Sequence, residues 1–241
     1  MAELLVVNGL KKYFGSLVAV DDLSFEVREG EILGMMGPNG AGKTTVFNLL
    51  TGLFQPDGGA ILFEGRNITH DPPAKRCRSG IGRTYQIPRP FDKMTVFENL
   101  MVGAVHGGKL GERQARAKGY DILELIGLFA MKDQLAGGLP LLDRKTLELG
   151  RALATQPRLI LLDEIAGGLT EKEAEHVLGI VKGIRETGVT IVWIEHILMM
   201  MSEGVDRLLV ISEGRRLQCG DPSQVMNSKE VLECYFGAKD E

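Results

Sequence analysis

Short β-rich runs separated by glycine-containing turns open the chain, where LLVV (4–7) and LSFEV (23–27) predict two strands paired antiparallel. EILGMMG (31–37) is apolar almost without interruption and predicts a buried strand. TTVFNLLTG then has helical spacing and stops at Gly52, after which QPDGG turns the chain into AILFEG. From 95 to about 127 the period becomes helical, in TVFENLMVG and YDILELIGL, with GGKLGERQARAKG as a polar connection between them. Beyond residue 158 the pattern alternates: RLILLDE, a helix through EKEAEHVLGIVKGIRETG, VTIVWIEH, a short helix, DRLLVISEG and RRLQCG. That order predicts a parallel sheet covered by helices. The tail, DPSQVMNSKEVLECYFG, reads as two short helices. The expected class is α/β, with an N-terminal antiparallel β subdomain and an inserted helical subdomain.

Composition narrows the function without naming it. The 241 residues are 44% hydrophobic and 25% charged, enough for one domain with a sizeable core. A net charge of −4 argues against a surface built to hold nucleic acid. The start, MAELLVVNGL, lacks the basic-then-apolar order of a secretory signal, and no apolar run reaches the roughly 18 residues of a membrane helix. Any membrane role is therefore expected to come through a partner. Cys77, Cys219 and Cys234 have no paired metal-ligand spacing and read as reduced thiols in the cytoplasm. Trp193 and Met199, Met200 and Met201 read as core.

The chemistry is concentrated at strand ends. In GPNGAGKTT, Gly37, Pro38, Asn39, Gly40, Ala41, Gly42, Lys43, Thr44 and Thr45 follow a strand and open a helix, the pattern of a phosphate-binding P-loop. The glycines let backbone N–H groups face phosphate oxygens, Lys43 supplies a point charge, and the Thr44 hydroxyl suits Mg²⁺. LILLDE is the matching half: a buried strand delivers Asp163 for Mg²⁺ and Glu164 to activate water. VTIVWIEH brings His196 to the same expected sheet edge, and Gln86 ends a β-like run in IGRTYQIPRPF, where its amide can reach Mg²⁺ or water.

In this order, KYFG, GPNGAGKTT, Gln86, a helical segment, LILLDE, GGLT and WIEH, the chain resembles an ATP-binding cassette (ABC) transporter ATPase along nearly its whole length. The resemblance implies a single P-loop NTPase domain over 1–241, with a nucleotide-binding core at 1–90 and 157–241 and a helical subdomain at 91–156. It implies that Phe14 stacks on adenine with Ala19 nearby, Tyr13 being the second choice. It also implies that Gln86 links Mg²⁺ and water to the helical subdomain, that His196 contacts the γ-phosphate, and that Gly168, Leu169 and Thr170 cross a dimer interface. ATP and Mg²⁺ are the implied cofactors. The implied partners are transmembrane permease subunits gripped near 89–95 and a second ATPase subunit, at the cytoplasmic face of the membrane. GIGRTYQIPRPFDKMTVFENLMVGA and the ending EVLECYFG look most like the ATPases of branched-chain amino-acid importers; lipopolysaccharide-export ATPases and soluble, non-transport ABC ATPases are the alternatives.

One stretch departs from the pattern. The family signature that touches the partner subunit's nucleotide, LSGGQ, is replaced here by Leu139, Pro140, Leu141, Leu142 and Asp143. The serine hydroxyl is lost, Pro140 has no N–H, two leucines stand for glycines, and Asp143 brings negative charge toward a polyanion. Ile165 also replaces the proline usual after the catalytic glutamate, which is expected to change loop stiffness. The pattern favours a heterodimer in which this subunit's P-loop and Glu164 meet a partner's intact signature. A homodimer working through backbone N–H groups of Leu141 and Leu142 is the alternative.

Overall fold

The computed structural model of the chain describes residues 2–236, so Gly237, which closes the tail motif, lies outside the described residues. In chain order the elements are β1 (Glu3–Phe14), β2 (Leu17–Arg28), β3 (Ile32–Met36), α1 (Lys43–Leu50), β4 (Gly58–Phe63), β5 (Arg66–Asn67), α2 (Pro73–Arg78), β6 (Ile81–Arg83), α3 (Val96–Val102), α4 (Glu112–Leu125), α5 (Leu141–Ala154), β7 (Leu159–Asp163), α6 (Glu171–Glu186), β8 (Thr190–Ile194), α7 (Leu198–Glu203), β9 (Arg207–Ser212), β10 (Arg215–Gly220), α8 (Pro222–Met226) and α9 (Lys229–Phe236). Contacts divide the chain into two compact units, residues 1–73 with 190–241, and residues 74–189.

The first unit holds two sheets. β1 and β2 pair antiparallel, Val7 opposite Phe25 and Phe14 opposite Leu17, and β4 pairs antiparallel with the other edge of β1. Both long strands alternate, burying Leu5, Val7 and Leu10 on one and Val20, Leu23, Phe25 and Val27 on the other. In the second sheet β3 lies between β8 and β9, parallel to both, with β10 antiparallel at the edge. All five residues of β3 and of β8 are buried, which is why both read as apolar runs rather than alternations. With Met35 opposite Ile194, β3 and β8 end at the same edge, so the Gly37 loop and His196 emerge there. Trp193, Met200 and Met201 are fully buried and Met199 half-buried, in keeping with their reading as core.

The second unit pairs β6 parallel with β7, Ile81 opposite Leu159 and Arg83 opposite Leu161, and gathers α3, α4, α5 and α6. α3 opens on a capping box in which Thr95 and Glu98 satisfy each other's backbone N–H groups. α5 lies close to the end of α4: a Cβ on Gly150 would stand 2.6 Å from Ile126 Cδ1. One expectation is corrected. GGKLGERQARAKG is largely helix, because α4 begins at Glu112 and runs through residues of high helix propensity that polarity alone assigns to a connection.

Candidate functional site

The first unit carries the phosphate loop. Gly37 has φ 155°, and a Cβ there would lie 2.1 Å from the Ile211 carbonyl oxygen; at Gly42, φ 99°, a Cβ would lie 2.3 Å from the Ala19 carbonyl oxygen. Both positions therefore require glycine, because the loop packs directly against these two backbone carbonyls. α1 opens at Gly42, which has no side chain with which to cap the helix. Lys43 is 6% exposed, and its Nζ lies inside the loop, donating to the carbonyls of Gly37 (2.7 Å) and Pro38 (3.0 Å). Thr44 is exposed and Thr45 half-buried. A recess of about 440 Å³ beside the loop is lined by Pro38, Asn39, Gly40, Ala41, Ser212 and Glu213, among others.

Ala19 thus touches the loop through its backbone. Phe14 is exposed and packs its ring edge-on against Phe54 at 5.3 Å, with Lys12 Nζ 5.4 Å from its centroid. Tyr13 is also exposed, its N–H donating to Asp57 at 2.7 Å. His196 is exposed just past β8, and it lines an apolar cavity of about 550 Å³ with Met36, Leu198, Leu208, Val210 and Tyr235. Burial pushes the Tyr235 phenol up to about 12.

The second unit brings the candidate acids together with Gln86. Asp163 ends β7, its N–H donating to Thr84 Oγ1 at 3.2 Å and its Oδ2 accepting from Arg83 at 2.8 Å. Glu164 follows with φ 46°, a left-handed conformation that costs a non-glycine residue about 1–3 kcal/mol and is concentrated at functional positions. The Gln86 amide donates to Glu164 Oε2 at 2.5 Å, and the buried Lys145 reaches the Glu164 carbonyl at 3.4 Å. Ile165 is buried, so this substitution for proline is packed rather than solvated. Gly168 has φ 79°, and Thr170 caps α6 in a capping box with Glu173, a device legible in the spacing of TEKE.

The replaced signature forms a regular helix start. Leu139 is buried, Pro140 is the N-cap of α5 with no side-chain hydrogen bond, and Leu141 is exposed, 3.6 Å from where a Gly168 Cβ would be. Burial raises the Asp143 carboxyl above its ordinary value against the opposing charge of His176. The loop after Gln86 is bolted to this helix: Arg151 donates to the Arg89 carbonyl at 2.7 Å and to Glu148 at 2.8 Å, and lies over the Phe91 ring at 4.8 Å. Arg83, Lys145 and Arg151 are absent from the candidates read in the sequence. Arg83 and Arg151 each stand as the single basic residue of their stretch, whereas Lys145 follows Arg144 with nothing to single it out.

The ABC transporter family model matches residues 20–167. The chain is 39% identical over 249 aligned positions to the high-affinity branched-chain amino acid transport ATP-binding protein LivG of Salmonella typhimurium, covering 97% of this chain and 98% of that protein. It is 37% identical to the corresponding protein BraF of Pseudomonas aeruginosa, again over 97% and 98%. A solved ATP-binding cassette of an ABC transporter superposes with TM-score 0.91 at 33% identity, covering 98% of this chain and 100% of that one. With a phosphate loop, an acid-tipped strand and this likeness over nearly its full length, the chain belongs to the ABC transporter family, as an ATP-hydrolysing, energy-coupling subunit.

Proposed function

We propose that this chain drives uptake of branched-chain amino acids, working from the cytoplasmic face of the membrane on transmembrane permease subunits. The observation that carries the substrate is the near-full-length likeness to LivG and BraF, whose names specify branched-chain amino acid transport. Among the described residues no helix is long and apolar enough to cross a membrane, so the permease is a separate requirement of this reading.

The residue roles follow from chemistry. Lys43 and the N–H groups of Gly40, Gly42, Thr44 and Thr45 hold the phosphates, while the Ala41 N–H closes the turn on the Pro38 carbonyl; the Lys43 ammonium held inside the loop supports this role. Phe14, steadied by Phe54, stacks on adenine with Ala19 beside it. Thr44, Gln86 and Asp163 are oxygen donors, one of them anionic, and so fit Mg²⁺, a hard cation that keeps several waters. Bound there, Mg²⁺ neutralises charge developing on the phosphates. Glu164 accepts a proton from the attacking water as the water oxygen bonds to the γ-phosphorus and the bond to the ADP oxygen breaks. His196 contacts the γ-phosphate, and Gln86, already bonded to Glu164, ties that carboxylate to the loop.

Helices α3, α4 and α5, within 91–156, form the part that moves against the permease, contacting it near 89–95. The second ATPase subunit is a different chain with an intact signature, since Pro140 and Leu141 offer neither hydroxyl nor glycine at the start of α5. Gly168, Leu169 and Thr170 cross that interface. Labelled leucine, isoleucine and valine uptake tests the reading in cells whose only branched-chain importer contains this subunit. Uptake is expected to be lost in Glu164→Gln, and retention of uptake of all three by that variant would overturn the proposal.

A further inference from the structure

Asp163 is the acid assigned to the metal, and the strand beside it supplies a charged partner at hydrogen-bonding distance. β6 runs parallel to β7 with Arg83 opposite Leu161, and this register delivers the Arg83 guanidinium to Asp163 Oδ2 at 2.8 Å. Both side chains are almost sealed from water, 7% exposed for Arg83 and 6% for Asp163. The Thr84 N–H donates to the Leu161 carbonyl at 2.9 Å, and its hydroxyl accepts from the Asp163 N–H, so the next residue of the same segment fixes the backbone of the acid. The guanidinium carbon also lies 5.1 Å from the Tyr85 ring centroid, which restricts the plane of the fork. Gln86 follows immediately. Thus Arg83-Thr84-Tyr85-Gln86 is one short segment that holds Asp163 by backbone and side chain and ends in the residue bonded to Glu164.

We propose that Arg83 is a positioning residue for the metal-binding carboxylate, fixing Asp163 by one oxygen so that the acid presents a single orientation to Mg²⁺. Mg²⁺ tolerates little deviation from octahedral geometry, so a ligand whose rotamer is set before the ion arrives binds it with less reorganisation. A buried pair of this kind adds little net stability compared with an apolar replacement, which leaves orientation as its more valuable effect. The inference rests on Asp163 being a metal ligand. It does not require Arg83 to touch nucleotide or metal.

The test is binding of a fluorescent ATP analogue by purified full-length protein, titrated with Mg²⁺ and separately in EDTA. Asp163→Ala, Arg83→Met and Arg83→Lys are compared with the parent. Arg83→Met is expected to raise the half-saturating Mg²⁺ concentration about 10- to 100-fold, the range for partners of metal ligands, while binding in EDTA changes less than about 2-fold. Arg83→Lys, which keeps the charge without the planar fork, is expected to show a smaller rise, about 3-fold. Loss of the Mg²⁺ dependence in Asp163→Ala with an unchanged midpoint in Arg83→Met overturns the role of Arg83. A Mg²⁺ dependence that survives in Asp163→Ala instead overturns the metal assignment beneath it. A lower midpoint in Arg83→Met means that Arg83 competes with the ion, and also refutes the proposal. If Arg83→Met fails to give a native circular dichroism spectrum, the Arg83→Lys midpoint decides, and an unchanged value there refutes it.

Discussion

Rebuilding the usual signature at the start of α5 is the perturbation that bears most closely on the dimer. The quadruple variant Pro140→Ser, Leu141→Gly, Leu142→Gly and Asp143→Gln restores a hydroxyl and a backbone N–H at residue 140 and removes a carboxylate. Its effect on the fold is small. A serine at the uncapped Pro140 position contributes about 1 kcal/mol, and each glycine in the first turn costs about 1 kcal/mol. Leu141 is exposed and Leu142 half-buried, so little core is lost. The net is a destabilisation of about 1–2 kcal/mol, and the melting temperature should fall by about 2–8 °C for a chain of this size. The effect on closure is larger. Two regained hydrogen bonds to a phosphate, each worth about 1.5–3 kcal/mol, correspond to roughly 100- to 10,000-fold. The assay is light scattering in a Glu164→Gln background with Mg-ATP, where blocked turnover accumulates the closed dimer. Rebuilding the signature should lower the protein concentration needed for ATP-dependent dimerisation at least 100-fold. An equal dimerisation midpoint with and without the rebuilt signature would refute the reasoning, because LPLLD would then close over nucleotide as well as LSGGQ does.

Two further outcomes follow from the geometry. Phe14→Ala should weaken ATP binding about 5- to 100-fold, the worth of one base stack at about 1–3 kcal/mol, and leave tripolyphosphate binding unchanged; calorimetric titration with both ligands checks this, and the same loss in Tyr13→Ala alone would move the stack to that ring. Burial raises the Glu148 carboxyl above its ordinary value of 4.5, more than Arg151 and the Arg89 N–H lower it. The folded state therefore binds that proton more tightly than the unfolded chain, and the stabilisation present below pH 4.5 is lost as pH rises through the raised value. Glu148→Gln should accordingly be at least as stable as the parent at pH 7, with the difference shrinking toward pH 4.5. Thermal melts at the two pH values check it, and a large loss of stability at pH 7 would contradict it.

Strand ends were legible because glycine and charge stand out against apolar runs. The run 31–37, bounded by turn residues, read as a buried strand, and Gly37 at its end and Gly42 beyond it are the glycines whose added Cβ would strike the Ile211 and Ala19 carbonyls. The start of α4 was not legible, since ERQARAK turns only the small Ala115 to the interior, too weak an apolar signal for a period, and is helical by propensity. Neither was the hold of Arg83 on Asp163. It depends on the parallel register of two strands about 80 residues apart, which no local pattern encodes. The same limit applies to Arg151, whose carbonyl partner Arg89 lies 62 residues away. What could be read of the replaced signature was its chemistry. Its effect depends on a helix start that closes normally around Pro140, so the substitution changes what the helix offers without unmaking the helix.

The central claim is that this subunit's Lys43 and Glu164 serve the productive ATP site while its LPLLD segment serves a weak one. The most direct measurement is steady-state ATP hydrolysis by the reconstituted transporter, comparing Glu164→Gln in this chain with the equivalent substitution in the partner ATPase. The account predicts that the first abolishes turnover and the second leaves most of it. Equal losses from the two substitutions would contradict it.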